Sequence, residues 1–132
     1  MVTTEQPTDQ HTAQTCSTAI KAVKDALDVL SGRWKLLVLL SLIYGPKRFR
    51  QISRDVNGIT DKVLSKELKD LEMNQLISRT VYDSFPPMVE YAITEHGSSL
   101  KEVIAVLGSW GRGHRYKIIG QDRSDTSLPS AR

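Results

Sequence analysis

Five side chains between Thr60 and Lys69 could hydrogen-bond to a base edge or a phosphate: Thr60, Lys62, Ser65, Lys66 and Lys69. Lysine donates to guanine O6 and N7 or to phosphate oxygens, and Ser and Thr hydroxyls serve either target. At about 100° per residue, Lys62, Lys66 and Lys69 gather on one side of a helix while Leu64, Leu68 and Leu71 gather opposite. Lys62 and either Ser65 or Lys66 are expected to meet bases, and Lys69 phosphate; rotating the helix by one residue exchanges these roles. Lys47, Arg48 and Arg50 precede them at the start of a shorter helix, where cationic side chains and free backbone N–H groups can converge on one phosphate. Arg79, in the segment that follows, is a further candidate phosphate contact.

Other chemistry is sparse. Cys16 is the single thiol. It is expected just ahead of a helix N-terminus with Lys21 and Lys24 close by, and both features favour thiolate, which makes it a candidate sensor. The alternative is a small, half-buried residue at a helix start. One cysteine excludes a disulfide framework and a cysteine-based zinc cluster. His11, His96 and His114 are far apart and have no partner at metal-ligand spacing, so no metal or cofactor is expected. No nucleophile–base pair, paired carboxylates or phosphate-cradling glycine loop stands at usable spacing, which argues against an enzyme.

The elements that must position these groups follow from periodicity. Thr60 suits an N-cap and Asp61 the positive end of a helix dipole. Just before, Phe49, Ile52 and Val56 recur at helical spacing until Asn57-Gly58 breaks the run. Two short helices joined by a tight turn describe a helix-turn-helix. Upstream, a helix is expected from Ser17 or Thr18 to Leu30, and RWKLLVLLSLIYG reads as a buried central helix ended by Gly45-Pro46. After Asn74-Gln75 the period becomes two, with Ile77, Arg79 and Val81, then Val89, Tyr91 and Ile93, on either side of a tip at Asp83–Pro87. That hairpin is a wing. Thr94 then caps a last helix carrying Leu100, Val103, Ile104, Leu107 and Trp110 down to Gly111.

The expected fold is mainly α with a small β-hairpin, a winged helix-turn-helix spanning residues 16–111. A flexible arm (1–15) precedes it, and a basic junction with a disordered tail (112–132) follows. Ile20, Val23 and Leu27 on the first helix and the stripe on the last could form a two-fold interface; the alternative is that both stripes fold back on their own core. Trp34 and Trp110, with Tyr44, Tyr82, Tyr91 and Phe49, read as core or interface anchors.

Charge separates the possible partners. From Arg33 to Arg79 ten basic and five acidic residues give +5, whereas residues 1–32 carry −2 and residues 80–132 carry zero. Lysines on a helix face are also what any solvated helix shows, but a localised excess is what phosphate neutralisation requires. The longest apolar run, Leu36–Leu40, is too short to cross a membrane, and the N-terminus is polar, so a cytoplasmic location is expected. Double-stranded DNA is the partner expected; a winged helix whose lysines meet an acidic protein, without DNA readout, is the alternative.

From Cys16 to Gly111 the chain resembles the HxlR-type bacterial transcription regulators, relatives of the MarR winged helices. The resemblance is carried by SGRWKLLVL, GPKRFRQI, GITDKVLSKELKDL and PPMVEYAITEHG. It implies a homodimer on a pseudo-palindromic operator, usually as a repressor and sometimes as an activator. Two departures stand out. Family members often carry Arg after the paired prolines, where this chain has Met88, and the wing tip contributes Asp83 and no cation. Some members sense electrophiles or oxidants with two cysteines; here only Cys16 is present, at a position the family commonly fills with Cys, so no intrachain disulfide can form.

Overall fold

Leu64, Leu68 and Leu71 are buried together with Val38, Leu39, Leu42, Ile52 and Ile77, so the apolar face of one short helix is the wall against which its neighbours pack. The computed structural model describes residues 13–120. Their order is α1 (Ala13–Val29), α2 (Lys35–Ile43), α3 (Phe49–Asp55), α4 (Asp61–Met73), β1 (Ile77–Tyr82), β2 (Met88–Ile93), α5 (Glu95–Ser98) and α6 (Lys101–Ile119). The expectations for residues 1–12, His11 among them, and for residues 121–132 lie outside the described residues. Two compact units divide between Arg33 and Trp34, where a single domain from residue 16 was expected.

Helix α1 forms the first unit. It buries none of its side chains, and Ile20, Val23 and Leu27 are 60–62% exposed. Its described start at Ala13 lies upstream of the expected Ser17 or Thr18. The reason is local: the Thr18 hydroxyl donates to the Gln14 carbonyl at 2.9 Å, a mid-helix back-bond rather than a cap. Cys16 therefore lies inside the helix, not ahead of it.

In the second unit α2 turns Val38, Leu39 and Leu42 inward but leaves Leu37, Leu40 and Tyr44 exposed. The central helix is thus buried on one side only. Helices α3 and α4 form the helix-turn-helix. Gly58, at φ +95°, makes the turn between them, and a Cβ there would touch the Trp34 ring at 3.9 Å. Thr60 caps α4 by accepting the Val63 N–H at 3.2 Å.

The strands pair antiparallel, Ile77 with Ile93, Arg79 with Tyr91 and Tyr82 with Met88. Lys47 and Tyr91 exchange both backbone hydrogen bonds, at 2.9 and 2.8 Å, so the segment entering α3 is tied to the wing. Thr94 caps only the short α5, accepting the Gly97 N–H at 2.9 Å. A Cβ at Gly97 would overlap the Leu76 carbonyl oxygen, which explains why that position needs glycine. The chain breaks at Ser99–Leu100 before α6, which replaces the single C-terminal helix expected. Helix α6 then runs through Gly111 and Gly113 to Ile119, so residues 112–119 are helix, not junction. Interior glycine costs a helix only about 1 kcal/mol, and the Trp110 and His114 rings stack at 4.8 Å across those two glycines. Trp110 itself is 66% exposed and is not a core anchor.

One buried polar contact joins α2 to α4. Lys35 Nζ donates to Glu67 Oε1 at 2.5 Å, with Asp70 Oδ2 at 3.3 Å, and the Lys35 and Glu67 side chains are only 8% and 9% exposed. Burial alone would pull the Lys35 ammonium down, but the Glu67 hydrogen bond and charge, joined by Asp70, outweigh it and hold its pKa above the ordinary lysine value. Lys35→Met should therefore cost about 3–5 kcal/mol by stranding the Glu67 carboxylate. Urea unfolding of Lys35→Met beside the paired Lys35→Met/Glu67→Leu variant checks this; the double variant should recover most of the loss.

Candidate nucleic-acid interface

The outer face of α4 presents Thr60, Lys62, Ser65, Lys66 and Lys69 to solvent, opposite the buried leucines. Lys62 and Lys69 make no ion pair among the described residues. Lys66 Nζ donates to Asp70 Oδ2 at 3.0 Å, one turn along the same helix. Asp70 is shared with buried Lys35, so a run of alternating charge connects Glu67, Lys35, Asp70 and Lys66. The Lys66 hydrogen bond, acting against partial burial and aided by Lys35, holds the Asp70 carboxyl below the usual aspartate value.

The three cations expected to converge on one phosphate do not share a role. Lys47 turns inward onto Asp55, which also accepts the Ser41 hydroxyl at 2.7 Å. These contacts, Lys47 first and Ser41 second, lower the Asp55 pKa. Arg48 and Arg50 stay outside. The Arg48 backbone N–H donates to Gln51 Oε1 at 2.9 Å, opening α3. The Arg50 guanidinium sits 3.3 Å from Asp61 at the first turn of α4 and 5.9 Å from the Phe49 ring centre. Arg79 is brought to α4: with Ser65, Lys69, Glu72 and Tyr91 it lines a shallow hollow between α4 and the hairpin.

Two features were not read from the sequence. Arg54 stands one turn beyond Arg50, exposed, and lines a cleft with Arg48 and Arg50; its i+4 spacing from Arg50 is the signal. Glu67 is an acidic residue among the apolar positions of α4, and such an interruption asks for a buried cation. Cys16 is exposed. Lys21 and Lys24, expected to favour its thiolate, each lie 3.5 Å from an aspartate one turn on, Asp25 and Asp28.

Residues 29–118 match the family described as HxlR-like helix-turn-helix. The HTH-type transcriptional regulator YtcD of Bacillus subtilis is 37% identical over 99 residues, covering 75% of this chain and 79% of that protein. Among solved structures, the redox regulator HypR in its reduced form superposes with a TM-score of 0.70 at 34% identity, covering 75% of this chain and 98% of that one. The reduced form of the transcriptional regulator YodB from B. subtilis gives 0.60 at 36%, covering 66% and 85%.

The lowered carboxyls fix an acid limit for the fold. A group whose folded pKa lies below its unfolded value stabilises above the ordinary carboxylate range, and that stability is lost as pH falls through the folded pKa. Thermal melting should therefore fall off below about pH 4, and Asp55→Asn should flatten that limb while lowering the plateau. A melting profile for Asp55→Asn with the wild-type acid slope would show that the Lys47–Asp55 contact carries no stability.

Proposed function

This chain belongs to the HxlR-like helix-turn-helix family of transcriptional regulators, and from that premise we propose that it works as a homodimeric repressor whose DNA occupancy responds to electrophiles or oxidants through Cys16. The observation that carries the reading is α4: a helix capped by Thr60, anchored by three buried leucines, with Lys62, Ser65 and Lys66 directed outward. Such a helix suits the major groove, with Lys62 and Ser65 or Lys66 on base edges, and Lys69 and Arg79 on phosphates. Arg48 and Arg50 serve the backbone at the start of α3, and Lys47 supports them from within through Asp55 and Tyr91.

Dimerisation rests on apolar surface that a single copy leaves open. Val103, Leu107 and Trp110 on α6 and Ile20, Val23 and Leu27 on α1 are all exposed, with Leu100 and Ile104 half-buried at the edge of the α6 stripe. A second copy covering them would set two α4 helices on half-sites about 34–36 Å apart, hence a pseudo-palindromic operator. The repressor sign follows the family resemblance. Among the described residues no helix is long and apolar enough to cross a membrane, and the cytoplasm is the compartment proposed.

The redox element draws on a similar protein named as a redox regulator, solved in oxidised and reduced forms. With one thiol, Cys16 can end only as a mixed disulfide with a small thiol, an alkyl adduct, a higher oxide, or a disulfide to the partner's Cys16. Each adds bulk or a crosslink to α1.

The reading helix is tested with genomic fragments retained by the purified protein. Lys66→Ala should cost about 1–3 kcal/mol and relax selectivity at one base pair if it meets a base, or lower affinity uniformly with a salt slope shallower by about one if it meets phosphate. Unchanged affinity in a folded Lys62→Ala/Lys66→Ala double variant would remove α4 from the interface. For the sensor, Cys16→Ser should remain a dimer in light scattering and bind the same fragment, yet keep it after diamide treatment that releases wild type. A monomeric wild type, or a serine variant released equally, would overturn that part of the proposal.

A further inference from the structure

Of the three lysines on the outer face of α4, Lys62 and Lys69 make no ion pair among the described residues, whereas Lys66 Nζ rests 3.0 Å from Asp70 Oδ2. An exposed i,i+4 pair is ordinarily a loose association. Helix α1 has two of that kind: Lys21–Asp25 and Lys24–Asp28 stand at 3.5 Å, and their aspartates are 64% and 65% exposed. Asp70 differs. It is 33% exposed, and the same Oδ2 that meets Lys66 lies 3.3 Å from the ammonium of buried Lys35. Lys35 is in turn fastened to Glu67. The carboxylate facing Lys66 is thus fixed from inside the protein, and Lys66 alone surrenders freedom when the pair forms.

That second contact also decides what happens when Lys66 leaves. A surface aspartate deserted by its lysine must turn to water, but Asp70 keeps Lys35. Departure therefore costs little where a site offers Lys66 good acceptors in a fixed place, such as guanine O6 and N7. It brings no gain where DNA offers only its field of phosphates, because a lysine already neutralised by a carboxylate releases few counterions. Lys62 and Lys69 have no such carboxylate, and their charge serves every sequence alike.

We infer that Asp70 is a positioning residue for DNA selectivity: it holds Lys66 back from phosphates in non-specific complexes and yields it to a base edge, while Lys35 keeps the vacated carboxylate in place. The inference rests on the DNA-binding reading above, with Lys66 on a base edge.

Neutral variants of Asp70 separate this role from packing. The full-length protein is titrated with two duplexes of equal length, the genomic fragment it retains best and a random sequence. On the random duplex Asp70→Asn should bind about threefold to tenfold tighter at about 50 mM salt, with the slope of log K against log salt steeper by up to about one, because one more lysine reaches phosphate. On the retained fragment, where Lys66 is already released, the gain should stay within about twofold, so the ratio of the two affinities falls. Asp70→Glu keeps the charge and should keep the wild-type ratio. In a Lys66→Ala background Asp70→Asn should leave the ratio where Lys66→Ala alone sets it. Asp70→Ser, which also retains an acceptor for Lys35, is the second neutral variant, and thermal melting reports the fold of each. A wild-type ratio and slope in folded Asp70→Asn, the same fall in the Lys66→Ala background, or loss of the fold in both neutral variants overturns the Asp70 assignment alone. Wild type that binds both duplexes equally, or neither at low salt, overturns the DNA reading beneath it, so the two failures are told apart.

Discussion

The Lys35–Glu67 contact is the constraint on which the geometry of the reading helix depends. Hydrophobic burial holds α4 against α2 and α3, but burial is non-directional, and leucines tolerate a helix that rolls or slides by a fraction of a turn. A charged hydrogen bond of 2.5 Å between side chains less than a tenth exposed has one good geometry. Rolling α4 out of it would leave two charges in a region of low dielectric. Because a roll of one residue is about 100°, in the proposed complex with DNA the same contact would decide whether Lys62, Ser65 or Lys66 points at a given base pair. The link is physical as well as geometric: Asp70 joins the buried lysine to the exposed one.

A second set of contacts makes the helix-turn-helix and the wing one body. The backbone exchange between Lys47 and Tyr91 ties the entrance of α3 to β2, and Lys47 with Ser41 holds Asp55 at the far end of α3. Arg50 then joins α3 to the first turn of α4 through Asp61. The cations of this region thus divide by role. Lys35 and Lys47 are internal and set positions, whereas Lys62, Lys69, Arg48 and Arg54 remain turned to solvent. The local excess of positive charge overstates the number of groups available to phosphate.

This division separates what local sequence encodes from what only the fold brings together. Periodicity sufficed for α4, the Thr60 cap, the Gly58 turn and the hairpin with its five-residue tip, because each is encoded within one or two turns of local sequence. Lys35 and Glu67 are 32 residues apart, and Lys47 meets Tyr91 across the α3–α4 pair and a strand, so no local pattern announces either contact. The helix ends failed for another reason. Gly111 and Gly113 carry the composition of a stop without its geometry; α6 meets a positive φ only at its C-cap, Gly120. Likewise Thr18 has the type of an N-cap but donates backward to Gln14.

Helix α1 raises the question of what keeps it helical. Seventeen residues with no buried side chain, supported by two exposed i,i+4 ion pairs, stand near the length at which isolated helices are marginal in water. In the proposed dimer the missing stabilisation comes from covering Ile20, Val23 and Leu27, each worth about 1.5–3 kcal/mol on full burial. Helix formation in α1 and association of two copies are then one linked equilibrium, and anything that alters the first turn acts on both. Cys16 lies in that turn. In the proposed dimer an adduct there would need no wire to the DNA: by changing how α1 is covered it would change the spacing between the two α4 helices, to which an operator with fixed half-site spacing would respond.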